Sequence, residues 1–239
     1  MKDKKTIISF DKICKDFSLE MGGSQRVLYD ISFNVNSGEF ISIMGPSGSG
    51  KSTCMNIIGA LDTPTAGTYK LYGNDITNYT PDELAVARNE YIGFVFQNFN
   101  LLTKRNVLDN TMLPLMYRGL VMEERIRRAR EMLRKVGLEK FETYLPTQLS
   151  GGMRQRAAIA RALAGSPKLI LADEPTGNLD SKMGQEILKM FQQLNKDLGI
   201  TIVMITHEFD NAKYTDRLIH IRDGRITHDG KVPKDERRL

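Results

Sequence analysis

The stretch Gly45-Pro46-Ser47-Gly48-Ser49-Gly50-Lys51-Ser52-Thr53 decides the fold of this chain. It matches Gly-x-x-x-x-Gly-Lys-Ser/Thr, the pattern of the phosphate-binding P-loop or Walker A motif. An apolar run, residues 40–44, precedes it, and a run compatible with a helix, residues 53–61, follows it. Strand, glycine loop and helix in that order are the context that the motif requires. The stretch therefore predicts an α/β fold built around a nucleotide-binding loop.

The chemistry expected of the loop follows from its residue types. Glycines lack a Cβ, so the loop can curl around a phosphate chain with its N–H groups pointing inward. Lys51 can then reach the β- and γ-phosphates, and the Ser52 hydroxyl can ligate Mg²⁺. The alternative, a glycine-rich turn without a ligand, is disfavoured by the complete motif in its proper context.

The composition is that of an ordinary globular chain of 239 residues, long enough for one large domain or two small ones. No stretch is apolar for the length of a membrane span, and residues 1–5 do not begin a secretory signal, so we expect a cytosolic protein. Cys14 and Cys54 are too few for a disulfide framework or a zinc site, and we expect both to be buried as small hydrophobes.

The net charge of +5 leaves two interpretations open for one basic helical segment. The segment contains Arg125, Arg127, Arg128, Arg130, Arg134 and Lys135. A solvated helix face is favoured over a binding patch, because glutamates alternate with these residues. No aromatic residues lie among them, which argues against single-stranded nucleic acid.

The hydrophobic pattern changes twice along the chain. Period-two or continuous apolar runs predict strands at residues 7–10, 26–36, 67–72, 91–96, 168–172 and 201–206, and a hairpin at Asp223-Gly224. Helical patterns occupy residues 107–116 (broken by Pro114), 123–136 and 154–163. Ser181 is expected to cap a later helix that ends near Leu198, and residues 231–239 are expected to fray. We predict one α/β domain over residues 1–239, with a β-subdomain at its N-terminus and a helical subdomain inserted at about 98–165.

Asp173-Glu174 follows a buried apolar run and is the second strong signal. In a P-loop fold an acid at this position lies beside the Mg²⁺ of the bound nucleotide, which is the Walker B position. Asp173 should hold the metal, and Glu174 could polarise the water that attacks the γ-phosphate. A solvated strand end before Pro175 is the alternative, and the accompanying P-loop disfavours it.

Ser150-Gly151-Gly152 precedes an alanine-rich helical run and is the third signal. A serine and two glycines at a helix N-terminus can bind an anion, although a simple capped helix start would be the favoured interpretation of this stretch alone. The chain thus carries two phosphate-binding helix starts, and the second would be superfluous if one chain built a complete site.

Together these motifs resemble the nucleotide-binding subunit of an ATP-binding-cassette (ABC) transporter. Residues 45–53 resemble the Walker A motif, 149–153 the signature motif and 169–174 the Walker B motif; Gln97 falls at the Q-loop, 178–180 at the D-loop and His207 at the switch histidine. The series covers nearly the whole chain. Residues 91–102 and 112–120 resemble more narrowly the macrolide-exporter and lipoprotein-release (MacB/LolD-like) branch.

The resemblance implies a P-loop NTPase with a RecA-like parallel sheet and a head-to-tail homodimer with two ATP molecules and Mg²⁺ at its interface. Residues 45–53 and Lys51 of one subunit would grip the phosphates, and Ser150, Gly151 and Gly152 of the other would close over them. Gln97 would touch Mg²⁺ or the attacking water, and His207 would hold the γ-phosphate or that water. Asp180 of the D-loop would be a further nucleotide-binding residue. Alone, neither Gln97 nor His207 would indicate a function.

This sequence departs from the family pattern at two positions. The signature ends in Met153 where glutamine is usual, and because methionine cannot donate a hydrogen bond, a ribose contact across the dimer would be lost. The aromatic residue expected to stack on adenine is Phe17, with Phe10 as the competing candidate and a core role open for either.

The resulting hypothesis is an ATPase that drives a separate FtsX/MacB-like permease from the inner face of the membrane. Phe99, Leu101 and Leu102 are the expected docking residues, with ordinary core packing as the alternative. An ABC-type ATPase of DNA repair or translation is the second hypothesis, and a small-molecule kinase, which would leave residues 150–152 unexplained, is the third. No nucleic-acid partner is expected under the first.

Overall fold

Two β-sheets organise the residues that the computed structural model describes, 5–19 and 22–236. The smaller sheet is antiparallel and contains β1 (Thr6–Ser18), β2 (Ser24–Asn36), β4 (Ala66–Leu71) and β5 (Asn74–Asp75). The larger sheet contains β3 (Phe40–Met44), β6 (Ile92–Phe96), β7 (Leu169–Asp173), β8 (Thr201–Ile205), β9 (Arg217–Arg222) and β10 (Arg225–Gly230). The predicted α/β class with an antiparallel subdomain is confirmed.

The six-stranded sheet has the order β10-β9-β3-β8-β7-β6. All its neighbours are parallel except the hairpin of β9 and β10. Every residue of β3 and β8 is buried, as expected of parallel strands covered on both faces. In this register Ile205 is the partner of both Ile43 and Asp173, and Phe96 is the partner of Asp173. The segments that follow β3, β8, β7 and β6 therefore emerge at one edge of the sheet.

Helices surround this sheet and form the inserted block. The helices near the nucleotide-binding loop and along the sheet are α1 (Lys51–Ile58), α2 (Pro81–Tyr91), α6 (Ser181–Leu198) and α7 (Phe209–Ala212). The inserted block contains α3 (Val107–Tyr117), α4 (Met122–Lys135) and α5 (Gly151–Ala164), which pack on one another. This block occupies the predicted interval. No helix in the described part of the chain combines the length and hydropathy needed to cross a bilayer.

Helix α1 is fixed between the two sheets. Its residues Cys54, Met55, Ile57 and Ile58 are buried in the core that also contains the inner faces of β1, β2 and β4. The hydroxyl of buried Tyr69 donates a 2.7 Å hydrogen bond to the carbonyl oxygen of Ile58. The antiparallel sheet thus holds the helix that follows the P-loop. Both cysteines are free and buried, as predicted.

Two predicted details of the helices are wrong. Helix α3 continues through Pro114 to Tyr117, because buried packing at Met112 and Leu115 on either side outweighs the hydrogen bond that proline removes. Asp180, and not Ser181, caps α6: its Oδ1 accepts a 3.0 Å hydrogen bond from the Met183 N–H. The predicted fraying of residues 231–239 concerns a segment whose last three residues lie outside the described part.

The basic segment of α4 forms ion pairs within the chain. Arg127 and Arg128 both contact Glu124, and Arg130 contacts Glu142 through two hydrogen bonds. These ion pairs agree with the favoured interpretation of a solvated helix face.

Candidate active site

The P-loop connects the buried end of β3 to α1. Gly45 lies so close to β9 that a Cβ there would collide with the Ile221 carbonyl oxygen, which explains the glycine. Pro46, Ser47 and Gly48 are exposed, whereas Ser49, Gly50 and Lys51 are buried. Lys51 donates hydrogen bonds to the carbonyl oxygens of Gly45 (2.8 Å) and Pro46 (2.7 Å). The loop is thus curled around its own lysine. Exposed Ser52 and half-buried Thr53 follow in the first turn of α1.

Opposite charges lie near the buried ammonium group of Lys51. Burial lowers the pKa of Lys51, and the carboxylates of Glu174 and Asp173 act against that shift. Burial also raises the pKa of Asp173, reinforced by the neighbouring Glu174 and opposed by Lys51. Asp173 ends β7, as predicted, and the sheet register places it next to the end of β8. A buried cation and two carboxyls therefore share this edge of the sheet.

Glu174 is held by its backbone and by a histidine. Its φ of 45° lies in the left-handed region, and its N–H donates to the Ile205 carbonyl oxygen at 2.9 Å. A non-glycine residue in this conformation is strained, and such strain is concentrated at functional sites. The Glu174 Oε1 atom lies 2.7 Å from Nδ1 of His207, whose side chain is 60% exposed. The structure thus brings Lys51, Asp173, Glu174 and His207 together.

Gln97 follows β6 and approaches the same edge. Its side chain packs against Gly177, where a Cβ would lie 2.6 Å from the Gln97 Nε2 atom. The Asn178 side chain donates to the Gln97 carbonyl oxygen at 3.0 Å. The loop after Glu174 therefore contacts the segment of Gln97 directly.

The oxygen-rich donor set at this edge suits a hard divalent cation. The Ser52 hydroxyl, the Gln97 amide and the Asp173 carboxylate offer the oxygen ligands that Mg²⁺ prefers. Burial and the neighbouring Glu174 raise the pKa of Asp173 despite the opposing charge of Lys51, so a bound divalent cation would stabilise the carboxylate further. These residues fit the predicted magnesium ion.

Ser150, Gly151 and Gly152 lie elsewhere in the chain. Ser150 caps α5 by accepting a 3.3 Å hydrogen bond from the Met153 N–H, so α5 begins three residues earlier than the predicted Arg154. Gly151 lies against Leu179, and a Cβ at Gly152 would collide with the Met183 side chain. The signature residues are therefore packed on the D-loop and the start of α6, where Asp180 is the cap, and Met153 packs on the core.

The structure excludes one of the two candidate aromatic residues. Phe10 is 3% exposed and packs on Phe33 and Tyr69, with ring centroids 4.9 and 4.7 Å apart. A ring enclosed in this way cannot stack on a base, so the prediction of Phe10 as the residue that stacks on adenine is wrong. Phe17 is 41% exposed near the end of β1 and stays available.

The predicted docking residues are mostly turned inward. Phe99 is buried and Leu101 is partly buried, and only Leu102 is well exposed. Next to them an apolar groove of about 730 Å³ lies between α2, β6, α3 and α5. Exposed Val86 and Tyr117 line it, together with Phe94, Pro114 and Pro167.

Sequence reasoning missed the roles of Gln155 and Arg161 in ordering this edge, and it gave Asn178 only a place in the D-loop. Gln155 is fully buried on α5 and donates to the Pro175 carbonyl oxygen at 2.8 Å, which fixes the turn after Glu174. Asn178 and Arg161 hold the segment after Gln97. A polar residue inside an alanine-rich helix was the available signal for Gln155 and Arg161.

Comparison with known proteins gives the same family from sequence and from structure. Residues 28–177 match the model of the ABC transporter family. The ABC transporter ATP-binding protein YknY of Bacillus subtilis is 54% identical over 200 residues, which are 84% of this chain and 86% of that protein. A macrolide export ATP-binding/permease protein MacB of Rhodopirellula baltica is 52% identical over 205 residues, 85% of this chain but 30% of that protein.

Solved structures agree. The dimeric structure of MJ0796, a bacterial ABC transporter cassette, has a TM-score of 0.85 and 42% identity, covering 96% of this chain and all of that one. A dimeric post-hydrolysis state of the same cassette, bound to ADP and Pi, has a TM-score of 0.85 and 41% identity, with the same coverage. Because the family model spans more than half of the chain and the cassettes share its fold, this chain belongs to the ABC transporter family and is an ATP-binding cassette.

Proposed function

We propose that this chain hydrolyses ATP as a sandwich dimer and drives a separate membrane permease of the FtsX/MacB-like type, in MacB/LolD-like export or extraction. One observation carries the proposal: the two helix starts that are predicted to bind phosphate, at residues 45–53 and 150–152, lie in different parts of the folded chain. The P-loop shares an edge with Asp173, Glu174 and His207, whereas Ser150–Gly152 packs on the D-loop. A second copy is the simplest way to bring a signature motif over a P-loop.

Each residue then has a role that its environment supports. Lys51 and the N–H groups of residues 45–53 hold the β- and γ-phosphates, and Ser52, Asp173 and Gln97 hold Mg²⁺, which neutralises charge on the phosphate oxygens. Glu174 orients the attacking water and accepts its proton. His207, hydrogen-bonded to Glu174 through Nδ1, keeps Nε2 free for the γ-phosphate. Phe17 stacks on the adenine.

The membrane partner is proposed from three observations. MacB relatives carry this cassette in a chain about three times longer and are described as ATP-binding/permease proteins, whereas YknY is close to this chain in length. The apolar groove offers Val86, Tyr117 and Leu61 to a partner, each between 49% and 80% exposed. A helix of the permease would cover this surface on the cytoplasmic side of the membrane.

Glu174→Gln tests the proposal. The amide cannot accept the proton but preserves the shape of the site, so ATP hydrolysis should fall at least about a hundredfold while ATP now holds a stable dimer. Glu142→Gln is the matched control, since Glu142 is likewise hydrogen-bonded to a basic side chain but lies in the helical block. A Glu174→Gln variant that hydrolyses ATP at the normal rate would overturn the role of Glu174.

The DNA-repair or translation alternative gains no support from the helical block. Its three helices contain 11, 14 and 14 residues, which is too short for a coiled-coil arm. Salt-sensitive DNA binding at nanomolar concentration would favour that alternative.

A further inference from the structure

The segment that follows Gln97 has an unusual backbone. We name residues 97–100 the strap. Phe99 and Asn100 have φ values of 60° and 50°, so two consecutive residues with side chains occupy the left-handed region. Each such residue is disfavoured by contact of its Cβ with the following carbonyl. The strap therefore needs external contacts to keep this path.

Arg161 of α5 supplies the contacts at one end of the strap. Its guanidinium donates through Nη1 to the Asn100 carbonyl oxygen at 2.5 Å and through Nη2 to the Phe99 carbonyl oxygen at 2.9 Å. The planar fork of arginine is suited to two acceptors held in fixed relation. The guanidinium of Arg154, one turn from Ser150, lies 5.0 Å from the Phe99 ring centroid.

Asn178 of the D-loop holds the other end. Its side-chain amide donates to the Gln97 carbonyl oxygen at 3.0 Å and to the Asn98 Oδ1 atom at 2.8 Å. The strap is thus fixed to the Walker B side of the site at Gln97 and to α5 at Asn100. Arg161 and Asn100 also line the apolar groove.

We infer that Arg161 is a positioning residue for Gln97, because its two hydrogen bonds keep the strap in its left-handed path. The inference rests on the proposed function, in which Gln97 contacts Mg²⁺. Loss of the contacts of Arg161 would therefore free the backbone of Phe99 and Asn100, which lies two and three residues from Gln97.

The test uses Arg161→Met, Arg161→Lys and a control, Arg88→Met. Arg88 lines the same groove, but its guanidinium donates to the Ala60 carbonyl oxygen, which lies outside the strap. Hydrogen exchange is followed in peptides covering residues 96–103 and 45–53 of the nucleotide-free protein. Steady-state ATP hydrolysis is measured as a function of ATP and of Mg²⁺.

Loss of both hydrogen bonds in Arg161→Met should raise exchange in 96–103 by about tenfold or more, with residues 45–53 unchanged. It should lower kcat by about tenfold, raise the Mg²⁺ concentration for half-maximal activity, and leave KM for ATP within about threefold. Arg161→Lys, which keeps the charge and can reach one carbonyl, should lie between wild type and Arg161→Met. Arg88→Met should resemble wild type in all of these measurements.

Wild-type exchange across 96–103 in Arg161→Met, or an unchanged kcat and Mg²⁺ dependence, would overturn the inference. So would equal losses in both peptides, since these would report general destabilisation. If Arg161→Met does not fold, Arg161→Lys decides by the same criteria. Failure of the proposed function is recognised separately, because wild-type protein would then show no Mg²⁺-dependent ATP hydrolysis.

Discussion

Replacing Ser150 by alanine separates a structural role of this hydroxyl from its proposed role across the dimer. Within one chain Ser150 only caps α5, through the 3.3 Å hydrogen bond from the Met153 N–H. In the sandwich dimer the same exposed hydroxyl would contact the γ-phosphate held by the partner copy. Ser150→Ala removes both interactions. They differ in free energy, and they are measured separately, the cap through Tm and the contact across the dimer through ATP-dependent dimerisation.

The loss of folding stability caused by removing the cap should be small. Removing a serine cap costs about 0.5–2 kcal/mol, and the length of this hydrogen bond places it near the lower end. That loss lowers Tm by roughly 2–4 °C per kcal/mol for a chain of this size.

The loss across the dimer should be larger, because a hydrogen bond to a charged group contributes about 1.5–3 kcal/mol and the symmetric dimer contains two of them. The total of about 3–6 kcal/mol weakens ATP-dependent dimerisation by roughly two to four orders of magnitude.

The assay is sedimentation equilibrium of the ATP-bound protein in a Glu174→Gln background, where hydrolysis does not dissolve the dimer. Thr80→Ala is the control, since the Thr80 hydroxyl caps α2 through a 3.4 Å hydrogen bond from the Glu83 N–H and also donates to Glu83 Oε2 at 2.8 Å. Thr80→Ala should lose at least as much thermal stability as Ser150→Ala, yet only Ser150→Ala should lose the dimer. The reasoning is refuted if Ser150→Ala dimerises like its parent, or if strictly monomeric protein hydrolyses ATP at full rate.

Two further predictions concern the nucleotide and the metal. Phe17→Ala should weaken ATP binding by about tenfold, because base–aromatic stacking contributes about 1–3 kcal/mol, and Phe17→Tyr should restore it; equal affinity of all three proteins in calorimetry contradicts the stacking role. Asp173→Asn should raise the Tm of the nucleotide-free protein at pH 7, since a carboxyl whose pKa is raised by folding makes the folded state less stable as the pH rises through that pKa. This gain should disappear below about pH 4, where the carboxyl is protonated in both states. The same variant should lose stabilisation by Mg²⁺ with ATP; a lower Tm at pH 7 would count against the assignment.

The sequence was sufficient for the features that depend on local chemistry and order. The P-loop, the strand before it, Asp173-Glu174 and the helical insert were all predicted, because each is encoded in a short contiguous pattern. Which of Phe10 and Phe17 is buried could not be predicted in this way. They lie seven positions apart on one strand, and the pairing of β1 with β2 contains register shifts between Phe10 and Ile13, around Ile13, and at Lys15. Alternation cannot assign faces across such irregularities.

The strap was equally hidden, for a different reason. Left-handed backbone is expected at glycine, and neither Phe99 nor Asn100 is one. Their conformation is held by hydrogen bonds from Arg161, which follows Asn100 by 61 positions and Phe99 by 62. Contacts of this kind are a property of the assembled fold, so a pattern along the chain indicates the residues only after the structure has brought them together.

The electrostatics of the nucleotide-free site explain why nucleotide and dimer formation should be linked. Burial lowers the pKa of Lys51 and raises the pKa of Asp173, so burial disfavours the charged form of both side chains. Glu174 has a strained backbone conformation, and its carboxylate is hydrogen-bonded to His207. Under the proposed function, phosphates would pair with Lys51 and Mg²⁺ would pair with Asp173, so nucleotide binding would stabilise the folded site. In the proposed dimer, the γ-phosphate oxygens left exposed would still accept hydrogen bonds, and the start of a second copy's α5 would offer the Ser150 hydroxyl and the positive end of the helix dipole. In the proposed dimer, hydrolysis and release of phosphate would remove that shared ligand, and the two copies would then lose the interaction that holds them together.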